Sequence, residues 1–302
     1  MRNLKVGTGL ISALVYRPDG SALVALDVDH PTTRARVYPF PDGAGKKSVA
    51  VYGARFAVAP DGRRAAAVTF SSLRVWTLAD GVKHSFQPQG RGGFLYGVGF
   101  PADGSHVLVS GQLPGDNGAR QLIAWDPDAR RAAWALECAA GEQIATAGDR
   151  TATAGAGEAG FYRLKSNVLV VEAGRVVREM RLAQREIRGG VRRVRFSPDG
   201  SLLGVAYGRN VLVWDVATGD EVHRLTGHKR TVQDVAFSPD GRLVATGGDD
   251  DRVKFWDAGT GRLVTTFAWR IDVVGSLAFS PDGLTCAAGG TKGRVVVWDV
   301  DE

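Results

Sequence analysis

The dipeptide Asp-Gly recurs along the chain at nearly constant intervals, and that recurrence constrains the fold more than any other feature. One series of it stands at Asp19-Gly20, Asp61-Gly62, Asp103-Gly104, Asp199-Gly200, Asp240-Gly241 and Asp282-Gly283, in steps of 42, 42, 96, 41 and 42 residues, with two further copies, Asp42-Gly43 and Asp80-Gly81, between its members. Both residues tolerate the positive φ that tight hairpin turns require. The step of 96 is about twice the others, so a degraded copy is expected near residue 149. There "QIATAGDRTATAG" (Gln143 to Gly155) carries Gly148-Asp149-Arg150 in place of the turn.

A second marker follows each turn: a β-branched run ending in a large residue, at Tyr38, Trp76, Trp125, Val171, Trp214, Trp256 and Trp298. These residues are 38, 49, 46, 43, 42 and 42 positions apart. The two markers agree on seven units of roughly 40–45 residues, the length of a four-stranded propeller blade. In the sixth unit "VQDVAFS", "RLVATGG", "VKFWD" and "RLVTTFA" are four short segments rich in valine and aromatics, separated by turn residues. No segment sustains a 3.6-residue apolar period, so almost no helix is expected.

These units resemble the WD-repeat family of β-propellers. "FSPDG" occurs three times in units five to seven, which also carry "WD" at Trp214-Asp215, Trp256-Asp257 and Trp298-Asp299; the likeness is fair in units two and three and weak in units one and four. The resemblance implies an all-β, seven-bladed propeller with four antiparallel strands per blade, formed as one domain over 1–302. The approximate units are 8–52, 53–91, 92–138, 139–184, 185–227, 228–269, and 270–302 plus 1–7. The last unit, ending in "VVVWDVDE", is one strand short. Leu4 to Val6 is expected to supply that strand, closing a complete ring and removing an exposed sheet edge.

The stretch "GHKRTVQDVAFSPDGRLVATGGDDDRVKFWD" (Gly227 to Asp257) holds a histidine, a hydroxyl and carboxylates, the ingredients of a hydrolytic triad. A triad also needs an exposed nucleophile and an oxyanion hole, and nothing in the stretch marks either. In the resembled family the matching residues form a buried hydrogen-bonded chain. His228, Thr246, Asp250 and Trp256 are therefore expected to form a structural latch, with histidine relaying between an indole N–H and a carboxylate. The position matching His228 is Ile187 in unit five and Arg270 in unit seven, so the latch belongs to unit six.

Other site-like strings fail on chemistry. Asp249, Asp250 and Asp251 lack the alternating ligands and distal carboxylate of a calcium loop, and read as a solvated turn. "DVDHP" (Asp27 to Pro31) offers too few ligands for zinc. "GAGEAG" (Gly155 to Gly160) matches G-x-G-x-x-G, but the adjoining "FYRLKSNVLVV" reads as strand rather than helix. "GAGKKS" (Gly43 to Ser48) lacks the first glycine of a phosphate loop, having Phe40 there. Cys138 and Cys286 are distant from each other and match no metal spacing, as expected of reduced thiols in a cytoplasmic protein. The short apolar run at the N-terminus is broken by Arg17, Pro18 and Asp19, and reads as a strand rather than a signal peptide. No run approaches the ~20 apolar residues of a membrane span. An alanine-, glycine- and arginine-rich composition points to a bacterial source.

The formal charge is +6, and the stretch from Arg175 to Arg195 alone carries eight arginines against two glutamates. That local density makes segment 175–195 a candidate site for an acidic protein or a nucleic acid; the alternative is a rim kept soluble by charge. Candidate partner-binding residues are Arg185, Arg188, Arg192, Arg230, Trp269, Arg270, Phe94 and Tyr96, since tryptophan, tyrosine and arginine are the usual interface anchors. Trp269 has packing between blades as its alternative. The expected function is a monomeric, non-catalytic scaffold binding protein or peptide partners on its loop-rich top face. No cofactor, metal or membrane is expected to take part, and catalysis is the weakest reading.

Overall fold

The computed structural model describes residues 1–29, 32–39, 47–51, 55–69, 71–81, 83–86, 94–101, 103–112, 120–129, 131–138, 143–154, 167–172, 175–182 and 190–301. Their strands form seven four-stranded antiparallel sheets. The first strand, β1 (Arg2–Lys5), belongs to the last sheet. Blade one is β2 (Leu10–Tyr16), β3 (Ala22–Asp29), β4 (Thr32–Pro39) and β5 (Lys47–Val51). Blade two is β6 (Arg55–Val58), β7 (Arg64–Val68), β8 (Leu73–Thr77) and β9 (Lys83–Phe86). Blade three is β10 (Phe94–Gly99), β11 (Val107–Gln112), β12 (Arg120–Asp126) and β13 (Arg131–Glu137). Blade four is β14 (Gln143–Ala147), β15 (Arg150–Ala154), β16 (Asn167–Glu172) and β17 (Arg175–Arg181). Blade five is β18 (Val191–Phe196), β19 (Leu202–Tyr207), β20 (Asn210–Asp215) and β21 (Glu221–Thr226). Blade six is β22 (Val232–Phe237), β23 (Leu243–Gly248), β24 (Val253–Asp257) and β25 (Leu263–Phe267). Blade seven is β26 (Ser276–Phe279), β27 (Thr285–Gly289) and β28 (Arg294–Asp299), completed by β1. A three-residue 3₁₀ turn at Thr291–Gly293 is the helical element seen among the described residues.

The repeat markers explain the blades. In blades five, six and seven the residue before Pro-Asp-Gly is a serine that organises the first hairpin. Ser197, Ser238 and Ser280 each donate Oγ–H to the turn aspartate, at 2.6, 2.6 and 2.5 Å. Each also accepts the N–H of the residue opening the second strand, at 2.9 Å. The positive φ falls on Gly200, Gly241 and Gly283 alone, at 71°, 72° and 75°. The aspartate is thus present for its carboxylate rather than for its backbone freedom. The aspartate of "WD" does the same for the hairpin between the third and fourth strands: Asp215 accepts the Thr218 N–H at 2.8 Å and Asp257 the Thr260 N–H at 2.7 Å. In the degraded fourth copy Gly148 takes φ 56° between β14 and β15, and Val171 pairs with Thr151 where tryptophan stands in other blades.

Packing occurs between blades. The buried apolar side chains fall into seven clusters, and each joins two neighbouring sheets. Blades four and five share Met180, Val194, Phe196 and Trp214, for example. Among the described residues the blade three–four cluster is the smallest, with Leu122 and Val171 buried beneath partly exposed Trp134, Leu136, Cys138 and Ile144.

Ring closure involves more of the N-terminus than one strand. β1 pairs with β28 in the register Arg2↔Val297 to Lys5↔Arg294, two residues earlier than the expected Leu4 to Val6. Val6 and Gly9 then continue as a strap: the Val6 N–H donates to the Gly293 carbonyl at 2.6 Å, and the Gly293 N–H to the Gly9 carbonyl at 2.5 Å. Tyr38 holds the strap by donating Oη–H to the Val6 carbonyl at 2.6 Å. Buried Asp27 accepts the Gly9 N–H at 2.9 Å and pairs with Arg36 at 3.3 Å. Its place in "DVDHP" is thereby explained by the strap; His30 and Pro31 lie outside the described residues.

Gly293 has φ 65°, and a Cβ there would meet the Gly7 backbone at 2.1 Å. Gly241 has φ 72° with open space around it. A side chain at such a φ costs about 1–3 kcal/mol, so Gly241→Ala is expected to lower the Tm by a few degrees. Gly293→Ala should lower it further, because the closure seam must also move. Equal shifts in thermal unfolding would contradict the close approach at the seam. The thiols offer a second test. Cys138 is partly exposed at the blade three–four seam, whereas Cys286 is fully buried and burial pushes its thiol well up. A thiol-specific reagent should label Cys138 first, and faster labelling of Cys286 would contradict this packing.

Candidate interaction face and its hydrogen-bonded anchor

The antiparallel connections fix two faces. The loops entering each innermost strand, and those joining second to third strands, emerge on one side, here called the upper face. The hairpins joining first to second and third to fourth strands emerge on the other. Asp19, Asp61, Asp103, Asp199, Asp240 and Asp282 therefore all lie in first hairpins on the lower face. The carboxyls of Asp199, Asp240 and Asp282 are held below the usual range, chiefly by the serine hydroxyls that bond them. Exposed Arg192, Arg209, Lys229, Arg230, Arg252 and Arg270 of blades five to seven lie on the upper face, and exposed Arg242 and Arg262 on the lower.

The anchor of this face is in blade six. The Trp256 indole N–H donates to Thr246 Oγ1 at 2.8 Å, Thr246 Oγ1 lies 2.8 Å from His228 Nε2, and His228 Nδ1 lies 2.9 Å from Asp250 Oδ1. Asp250 Oδ2 also accepts the Lys229 N–H at 2.8 Å. The donor inventory assigns the protons. Asp250 accepts only, so Nδ1 carries the hydrogen; Nε2 then accepts from the Thr246 hydroxyl, which in turn accepts from Trp256. Every member is satisfied when the imidazole is neutral. Burial pulls the His228 pKa below its ordinary value, against the opposing pull of Asp250. Burial pushes the Asp250 carboxyl up, but its bonds from His228 and the Lys229 N–H outweigh this and leave it lowered.

The neighbouring acids are committed as well. Asp249 accepts from Gln233 Nε2 at 2.8 Å, and Asp251 takes the Ile271 N–H at 2.9 Å, tying blade six to blade seven. The aspartate run is thus a set of three protein contacts, not the solvated turn expected from its polarity. Among the described residues no group of three or more His, Cys, Asp or Glu could hold a metal ion.

The strand register shows why blade six alone carries the latch. The positions equivalent to Thr246 are Ala25, Ala67, Val109, Thr153, Val205 and Ala288. Only Thr153 offers a hydroxyl, and its blade has Val171 in place of tryptophan. In blade seven the Trp298 indole N–H is consequently buried without a partner. Aromatic packing takes the latch's place there. Trp269 stacks on Phe267 with centroids 5.4 Å apart and meets Trp298 at 5.3 Å. Most of its ring is thereby engaged, although Trp269 keeps partial exposure.

The remaining candidates scatter. Arg270 is exposed, has φ 54°, and accepts a bond from Arg294 Nη1 at 2.8 Å through its carbonyl. Arg230 is exposed in the same loop region as the latch. Phe94 is 46% exposed on blade three. Tyr96 beside it donates to Gln112 at 2.7 Å beneath the Arg120 guanidinium, 4.7 Å from the ring centre. Arg185, Arg188 and Ile187 lie outside the described residues, as do residues 155–160 and 43–46 of the two glycine-rich strings. The described arginines of the run do not form one surface. Arg175, Arg178 and Arg181 sit on the outermost strand of blade four, whereas Arg192, Arg193 and Arg195 sit on the innermost strand of blade five and line the central channel.

With this geometry in place, the sequence relationships are specific. The family described as "WD domain, G-beta repeat" matches residues 183–215, 219–257 and 261–299. This chain carries three WD40 repeats in a seven-bladed propeller. It is 51% identical over 55 residues to the Intraflagellar transport protein 122 homolog of Danio rerio, covering 18% of this chain and 5% of that protein. The COMPASS component SWD3 of Saccharomyces cerevisiae is 37% identical over 57 residues, 18% of each chain. The Guanine nucleotide-binding protein subunit beta of Schizosaccharomyces pombe is 36% identical over 61 residues, 20% of each. The chain thus spans a fifth or less of these relatives, all eukaryotic, and they lend no support to the bacterial source inferred from composition. No helix among the described residues is long and apolar enough to cross a membrane.

The latch is expected to be sensitive to pH. The folded pKa of His228 lies below the unfolded value of about 6.5. Its stabilising contribution is complete above that pH and lost as pH falls through the folded value. Removing a partner from a buried hydrogen-bonded chain costs about 1–3 kcal/mol. His228→Ala should therefore lower the Tm at pH 7.5 by several degrees, and the gap to wild type should narrow towards pH 5. A gap that is absent or widens on acidification would exclude the neutral, buried imidazole.

Proposed function

We propose that the chain is a non-catalytic interaction scaffold, binding protein or peptide partners, acidic ones among them, on its upper face. The observation that carries this reading is the sorting of charge. Hairpin aspartates crowd the lower face, while exposed Arg192, Lys229, Arg230 and Arg270 ring the upper face around a rigid channel mouth. Complementary charge steers encounter and selects partners more than it adds raw affinity. Two of the relatives are named as a component and a subunit, a further support for a role within assemblies.

Catalysis is the poorer reading for a specific reason: the one triad-like set spends its histidine on Asp250 and Thr246, and the threonine hydroxyl on the histidine. A continuous nucleic-acid track along 175–195 is also the poorer reading, because its arginines divide between the outer rim and the channel. A monomer in the cytoplasm fits a closed seven-bladed ring whose two cysteines form no disulfide.

Replacing Arg192, Arg230 and Arg270 together by glutamate should leave the Tm within about 1–2 °C, since exposed charges contribute little to stability. Partners captured by the wild type at physiological salt and identified by mass spectrometry should be lost from the variant. The same partners retained at full yield would refute the upper face as the binding surface. Capture that collapses at moderate salt, with nucleic acid as the captured species, would favour polyanion binding instead.

A further inference from the structure

The seven innermost strands surround a central channel of about 1500 Å³. Their register with the second strands places one residue of each blade at the same depth. At one level these residues are Val15, Ala57, Gly99, Ala145, Ala236 and Ala278, opposite Val24, Ala66, Leu108, Ala152, Ala245 and Ala287. Blade five alone breaks the ring: Arg195, opposite Gly204, occupies that level. Six small apolar residues leave space there, and the seventh brings in a guanidinium.

One step nearer the upper face, Arg193 is already committed. Its Nε lies 2.9 Å from the fully buried Asp234, and its Nη2 donates to the Ser12 carbonyl at 3.1 Å. Asp234 in turn accepts the Leu277 N–H at 2.8 Å. Among the described residues Arg195 forms no such ion pair, and Asp234 acts on it only as a neighbouring charge. The Arg195 Nη1 donates to the adjacent Val194 carbonyl at 3.2 Å, and the side chain lines the channel. Arg195 is half-buried, and burial first and the neighbouring Arg193 second depress its pKa to about 10, against the opposing pull of Asp234. A cation is costly in such a place unless an anion joins it. The described lining also carries Arg55 and Arg192 against the single carboxylate of Asp249, which Gln233 already engages.

We propose that the central channel is a binding site for a phosphate-class oxyanion, held by the Arg195 guanidinium with Arg193 and Arg192 adding positive charge towards the mouth. The planar fork of arginine matches a phosphate with two parallel N–H···O bonds. The small residues around the level supply room for the group, and the low local polarity strengthens the pairing. The site shares only Arg192 with the upper-face partner surface and is tested at Arg195, so either can fail without the other.

Calorimetry and thermal unfolding of the full chain with pyrophosphate and with inorganic phosphate, at matched ionic strength against sodium chloride and sodium acetate, test the assignment. Pyrophosphate is expected to bind with one-to-one stoichiometry and to raise the Tm, inorganic phosphate to do so more weakly, and acetate and chloride to do neither. Arg195→Ala should fold, because alanine stands at this level in four other blades, and without phosphate it should unfold at the wild-type temperature or above. Its pyrophosphate affinity should fall at least tenfold. Arg195→Gln, which keeps the length but not the charge, should bind as weakly. Absence of binding in the wild type, equal binding by the two variants and the wild type, or an acetate response equal to that of pyrophosphate would each overturn the proposal.

Discussion

Pairing of β1 with β28 is the interaction on which the rest of the structure depends. A blade is apolar on both faces, and each face is covered only by its neighbour; an open row of seven would leave two faces and two edges in water. The chain meets this constraint with four backbone-paired residues and a strap around Val6 to Gly9. The strap is secured from three directions, by the Tyr38 hydroxyl, the Asp27 carboxylate and the Gly293 backbone. Seven inter-blade clusters then close on one another. Strength differs around the ring: the blade three–four seam has few buried residues among those described, while blades six and seven share an aromatic stack.

Turn chemistry decides the electrostatics as a by-product. A first hairpin closed by an aspartate carboxylate places a negative charge on the lower face, and the repeat multiplies that choice around the ring. Upper-face aspartates in blade six have other work, since Asp250 holds the latch and Asp251 reaches the next blade. The cations of the upper loops stand beside Asp249 to Asp251 in blade six and Asp272 in blade seven, so both signs of charge meet on that face. A directional molecule arises from a nearly symmetric repeat because the two kinds of connection use different residues.

Periodicity made the fold legible. The Asp-Gly and tryptophan markers located all seven blades, including the fourth, where both markers are degraded and only the spacing remained. The latch residues were legible through the family resemblance, and the register explains their restriction to blade six by naming the alanine or valine that replaces Thr246 elsewhere. Three features were not legible. The strap depends on Tyr38 standing where tryptophan is usual, and a hydroxyl in that place signals nothing until its distant acceptor is known. The aspartate triplet looked solvated because its donors come from Gln233, His228 and Ile271, on other segments. The arginine run looked like one patch because sequence adjacency does not reveal that its described arginines sit on an outermost and an innermost strand.

The matched repeats and the blades are also out of step, with consequences for where divergence is tolerated. The match over 219–257 contains β21 of blade five with β22, β23 and β24 of blade six, and the match over 261–299 contains β25 with β26, β27 and β28. Each sequence repeat therefore ties two blades together, so one copy cannot be lost without breaking two sheets. The shared scaffold positions are held by that double duty. The innermost strands share this duty only in part: Val194 and Phe196 pack between blades four and five, whereas Arg193 and Arg195 line the channel without joining that cluster. Arg195 stands among such positions while the other six blades keep small residues. A charge that lines the channel at a level where the other six blades keep small apolar residues calls for a functional explanation rather than a structural one.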